Sequence, residues 1–126
     1  MKQSITTKKA PAAIGPYSQA IQMGNFVFLS GQLGIDPETG ELVSGGVSAQ
    51  AEQIFRNIQA VLTEINLTLD QVVKTTVFLS DMQDFAAVNE VYARHLNEPY
   101  PARSAFAVKT LPKNALVEIE VIAGMD

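Results

Sequence analysis

The sequence predicts a single α+β domain over residues 1–126, a mixed sheet with two helices packed on one face, in the order β-β-α-β-α-β-β. Three observations predict it. Apolar residues between 51 and 65 recur at spacings of three and four, a β-branched run fills 72–80, and short apolar segments near both ends are paired across turn residues. With 126 residues, 47% of them hydrophobic and 17% charged, the chain can bury one sizeable core and is too short for two ordinary domains.

Residues Tyr17 to Met23 and Phe26 to Gln32 flank Gly24-Asn25, a pair suited to a II′ turn, and predict a hairpin. IDPETGELVSGG collects Pro37, Gly40, Gly45 and Gly46 and reads as a turn-rich loop. From Ser48 as N-cap, Ala51, Ile54, Phe55, Ile58, Val61, Leu62 and Ile65 mark one face of a helix. Thr68 to Gln71 has capping-box spacing, and the continuous apolar character of VVKTTVFLS places a buried strand at Val72 to Ser80. Asp81 or Asp84 caps a second helix with Phe85, Val88, Tyr92 and Leu96 inward, ending before Pro99 and Pro101. Two final strands, Ser104 to Lys109 and Leu116 to Ala123, read as a hairpin joined through Leu111 to Asn114. Each helical crossover between strands is expected to be right-handed. Two helices cover one face of such a sheet, and the other still carries Phe28, Leu116 and Ile122. Burial of that face in a homo-oligomer is the simplest remedy, because apolar area left in water forfeits roughly 25 cal/mol per Å².

Composition narrows the chemistry. The absence of cysteine rules out disulfides, thiolate catalysis and Cys-based zinc sites, and the single His95 cannot build a histidine metal centre, so neither metal nor cofactor is expected. A net charge of −4 with scattered basic residues argues against nucleic acid as partner. No apolar run is long enough for a membrane span and MKQSITTKKAP lacks a signal-peptide core, so the expected location is cytoplasmic.

In the predicted terminal hairpin, alternation puts Arg103, Ala105 and Ala107 on one face, with Glu118 and Glu120 on the corresponding face of the next strand. If the bulkier apolar sets face the helices, a cation and two carboxylates stand beside a hollow left by two alanines. One reading is a structural ion pair, weak if exposed. The other is a carboxylate-binding site, in which the planar guanidinium grips an anion and a glutamate manages a proton or water. Residue types alone leave both open.

APAAIGPYSQA (10–20), FLSGQLGIDPETG (28–40), VVKTTVFLSDMQDFAAVNEVY (72–92), and PARS (101–104) with LPKNALVEIEVIA (111–123) together resemble the Rid (YjgF-type) reactive-intermediate deaminase family nearly end to end. The resemblance implies a chorismate-mutase-like fold, a homotrimer with a cleft at each subunit interface, and hydrolysis of short 2-imino or enamino acids such as 2-iminobutanoate and 2-iminopropanoate to 2-oxo acids and ammonia. Their source would be pyridoxal-phosphate dehydratases. Carried over by position, the substrate-gripping arginine falls on Arg103 and the water-positioning acid on Glu118. Spacing does not separate Glu118 from Glu120, which stays in reserve at the substrate site. Tyr17 resembles the family's cleft tyrosine, Ser30 and Gly31 the adjoining wall, and Asn89 a recurrent asparagine of the second helix. Ala105 stands where many relatives have cysteine; its contribution is expected through main-chain groups. The same cleft in a non-catalytic regulatory or chaperone-like trimer is the alternative function. His95 is read as a surface or dipole-compensating residue, and Lys74 as an edge or snorkelling one.

Overall fold

The computed structural model describes residues 1–125, which form one seven-stranded sheet and two α-helices. The strands are β1 (Gln3–Ile5), β2 (Ala20–Met23), β3 (Phe26–Leu29), β4 (Gln32–Leu33), β5 (Val72–Leu79), β6 (Ala102–Ala107) and β7 (Val117–Gly124); the helices are α1 (Gly46–Thr63) and α2 (Phe85–His95). Along the sheet the order is β1-β2-β3-β7-β5-β6, with β4 also paired to β7. Only β5 and β6 run parallel, as the α2 crossover between them requires.

The predicted hairpin around Gly24-Asn25 is present as β2–β3. Gly24 takes the positive φ (60°) and Asn25 does not, the pattern of a II′ turn. α1 begins two residues before Ser48: Gly45 and Gly46, at φ 115° and 84°, turn the chain into the helix and no side chain caps it. Its predicted inner face is buried from Ala51 through Leu62. The Thr68–Gln71 capping box forms on a 3₁₀ turn, and Asp81 Oδ1 accepts from the Gln83 amide to start a second such turn ahead of α2. β1 and β4, three and two residues long, had no period long enough to read.

The core lies between the helices and one sheet face, where Val117, Ile119, Val121 and Ala123 of β7 meet Ile54, Phe55, Ile58 and Leu62 of α1. Buried amides of α1 brace the sheet: Asn57 donates to the Leu33 and Ile35 carbonyls, and Gln50 accepts from the Leu116 amide. The opposite face displays Phe28, Phe78, Phe106 and Ile122 with no helix over it; Phe28 and Phe106 remain 44% and 45% exposed.

One prediction fails in a way that matters. β6 and β7 do not form a hairpin, because β5 lies between them, parallel to β6 and antiparallel to β7. The reason is apolar content. β7 carries four buried positions and takes the sheet's centre, whereas the small, mostly exposed residues of β6 suit an edge.

Candidate functional site

Strands β3 and β4 both pair with β7, but Phe28 to Gln32 spans four steps while their partners Ile122 to Ile119 span three. Ser30-Gly31 is therefore a bulge. It is pinned by the Ser30 hydroxyl donating to the Ser18 carbonyl at 2.6 Å and the Ser30 amide to the Gln19 carbonyl at 3.0 Å. The bulge brings the Gly31 backbone against the Glu118 carboxylate so closely that any Cβ there would collide with Oε2. Glu118 and Gly31 line a cleft of about 580 Å³ with Tyr17, Ser30 and Lys113, whose apolar walls come from Ile14, Leu33 and Ile35 among others. Burial, then the neighbouring Glu120 charge, pushes the Glu118 carboxyl above its ordinary value. Glu120 points into a separate, smaller depression beside Lys74, Thr76 and Phe28.

Gln19 was not predicted. Its buried carboxamide accepts from the Thr7 amide at 2.7 Å and donates to the Thr7 and Pro11 carbonyls at 3.0 and 2.7 Å. That amide fastens the segment supplying Pro11, Ala12, Ile14 and Tyr17 to the cleft. A lone glutamine before a strand gives no sequence signal of such a role.

Arg103 is elsewhere. It shares a sheet face with Thr75, its partner on β5, whose hydroxyl lies buried 2.8 Å from the Tyr92 hydroxyl of α2. Arg103 thus faces the helices, not the open face predicted for it, and stands on the opposite side of the sheet from Glu118 and Glu120. Phe106, the bulky residue assigned inward, packs edge-on against Phe78 on the open face, with centroids 5.4 Å apart. Two strand spacings, roughly 10 Å, further separate β6 from β7. No Arg103–glutamate ion pair forms: among the described residues, both side-chain ion pairs run to Glu52. Arg103 Nη1 instead donates to Asn89 Oδ1 at 2.7 Å, and its guanidinium carbon lies 4.8 Å from the Tyr92 ring centroid and 5.2 Å from that of Phe85. Asn89, Tyr92, Tyr100, Pro101 and Arg103 border a second depression of about 510 Å³. Phe85, Asn89 and Tyr92 fall four and three residues apart, so their shared helix face was legible, but the aromatics read only as core. Ala105 is half-buried on β6, an edge strand paired on one side only, which leaves alternate main-chain groups free.

His95 is not a free surface residue. It stacks on Phe55 at 4.8 Å and bonds Glu52 at 2.6 Å, with Arg94 donating to the other Glu52 oxygen at 2.6 Å. Lys74 lies half-buried on the open face beside Glu120.

One chain therefore brings Tyr17, Ser30, Gly31 and Glu118 together, gathers Arg103 and Asn89 separately, and does not join the two sets. This is a mixed α+β domain with an acid-bearing cleft on one side of its sheet and an aromatic-cradled arginine on the other. A family model described as Endoribonuclease L-PSP matches residues 7–125, and the chain belongs to that family, also called Rid or YjgF. It is 53% identical to a RutC family protein of Pyrococcus horikoshii over 98% of each chain. It is 46% identical to human 2-iminobutanoate/2-iminopropanoate deaminase over 98% of this chain and 90% of that protein. The crystal structure of RidA from an Antarctic Psychrobacter matches with a TM-score of 0.94 at 54% identity, covering 98% of this chain and 99% of that one.

Proposed function

We propose that the protein hydrolyses short 2-imino and enamino acids to 2-oxo acids and ammonia. The observation that carries this reading is the Glu118 carboxyl laid on Gly31 inside an apolar-walled cleft, its ionisation held back toward the range where a carboxyl can both take and return a proton. The name of the human relative supports the same reaction.

The imine carbon is already electrophilic, so the reaction needs a held substrate, a placed water and a proton carrier. Arg103 grips the substrate carboxylate with two parallel N–H donors. Ionised Glu118 orients a water molecule and takes one of its protons as oxygen bonds to the imine carbon and the C=N electrons move to nitrogen. Glu118 then returns the proton to that nitrogen, giving a carbinolamine; it next takes the hydroxyl proton and passes it to the same nitrogen as the C–N bond breaks and C=O forms, so that ammonia leaves. Tyr17 bounds the cleft, and the Ile14, Leu33 and Ile35 walls favour a short aliphatic side chain.

Because Arg103 and Glu118 lie on opposite faces of one sheet, both act on one substrate only if they come from different copies of the chain. The reading therefore includes a homotrimer with composite clefts between subunits, in which the open face bearing Phe28, Phe106 and Ile122 is also covered. Arg103→Ala is expected to abolish ammonia release from freshly generated 2-iminobutanoate in a coupled dehydratase assay and to leave the oligomer intact. Near-wild-type hydrolysis by that variant would remove the assignment, and a wild-type protein that binds 2-oxobutanoate without releasing ammonia would establish the non-catalytic alternative.

A further inference from the structure

We propose that Asn89 is a positioning residue that acts through Arg103, and that its neutrality is the property the site depends on. The inference rests on the reading of Arg103 as a carboxylate clasp. Every contact that holds this guanidinium is uncharged: the Asn89 Oδ1 acceptor at 2.7 Å and the ring faces of Tyr92 and Phe85 at 4.8 and 5.2 Å. The Tyr92 ring is itself fixed by the buried hydroxyl pair with Thr75. No carboxylate oxygen lies within 4.0 Å of Arg103 among the described residues, although Asp84 and Glu90 flank this part of α2.

A guanidinium has five N–H donors, and the single bond to Asn89 leaves enough of them for a two-pronged grip on an incoming carboxylate. The aromatic faces attract the cation through their quadrupoles without occupying a donor. An aspartate in place of Asn89 would hold Arg103 more strongly, by a charge-assisted bond, but would pair the cation off and repel an anionic ligand. Asn89 Oδ1 is engaged by Arg103 at 2.7 Å, which is how its influence on ligand passes through the arginine.

Calorimetric titration with 2-oxobutanoate, alongside kcat and KM for 2-iminobutanoate, tests this on Asn89→Ala and Asn89→Asp. Loss of a hydrogen bond to a charged group in Asn89→Ala should weaken 2-oxobutanoate binding about tenfold. Asn89→Asp should weaken it about 100-fold while its thermal midpoint stays at or above wild type. In both variants KM should move more than kcat. A purely structural tie between α2 and β6 predicts the opposite order, since aspartate makes the stronger tie. Binding of 2-oxobutanoate by Asn89→Asp as tight as by wild type, weaker binding by Asn89→Ala than by Asn89→Asp, or no binding by the wild type overturns the inference. Titration needs no turnover, so wild-type protein that binds 2-oxobutanoate in this Asn89-dependent way but releases no ammonia removes the deaminase reading alone.

Discussion

Glu118 is held in the fold at a cost to its charged form. Burial first and the Glu120 charge second raise its folded value above the ordinary 4.5, so the unfolded chain sheds this proton more readily than the folded one. Stability due to this group is therefore full at low pH, falls as pH rises from the ordinary value to the raised one, and then levels. Glu118→Gln removes the ionisation while keeping the shape. Its expected result is a thermal midpoint a few degrees higher than wild type at pH 7 with imine hydrolysis lost; an unchanged or lower midpoint would mean that the ionised carboxylate is compensated. Alternation along β7 correctly put Glu118 and Glu120 on one face, opposite Val117, Ile119 and Val121. What separates the two acids is the Gly31 bulge, a contact between residues 87 positions apart in sequence that no local pattern carries.

At the scale of elements, period and turn chemistry made α1, α2, β5 and the β2–β3 hairpin readable, because each advertises itself within its own residues. The partner of β6 was not readable. A short connection between β6 and β7 resembles a hairpin, and only the comparison of their apolar content with that of β5 places β5 in between. The inward face of β6 was reversed for a related reason: Phe106 looked like core, whereas the open face of this sheet is also apolar. The junction of α1 and α2 offers a separate test. The hydrogen bond from Arg94, opposed by partial burial and helped by His95, lowers the Glu52 carboxyl below its ordinary value of 4.5. A lowered folded value contributes stability above the unfolded one and loses it as pH falls through the folded one. Arg94 is largely exposed, so Glu52→Gln should cost less than about 1 kcal/mol in urea denaturation at pH 7. That difference should shrink as pH falls below 4.5; a deficit that stayed constant with falling pH would assign the effect to packing.

For the whole molecule, the decisive fact is that the arginine and the acid sit on opposite faces of the sheet in one chain. In the proposed homotrimer, refolding equal amounts of Arg103→Ala and Glu118→Gln chains together should yield clefts that draw an intact arginine from one chain and an intact glutamate from another. Random assembly restores about a quarter of wild-type turnover per cleft, where either variant alone has none. No recovery would put both groups in the same chain's site. The family description includes ribonuclease activity, but the net charge of −4 predicts no salt-dependent retention of RNA by the pure protein in filter binding. The Gln19 amide fastens the N-terminal arm from beneath, whereas Ile14, the apolar residue that arm presents to the cleft, is 88% exposed and contributes little to the core. Under the proposed reading, anchorage and selectivity thus reside in different side chains of the same arm. Position 14 is a replaceable panel on a fixed frame, where in that reading chain-length preference can change without disturbing the architecture that carries it.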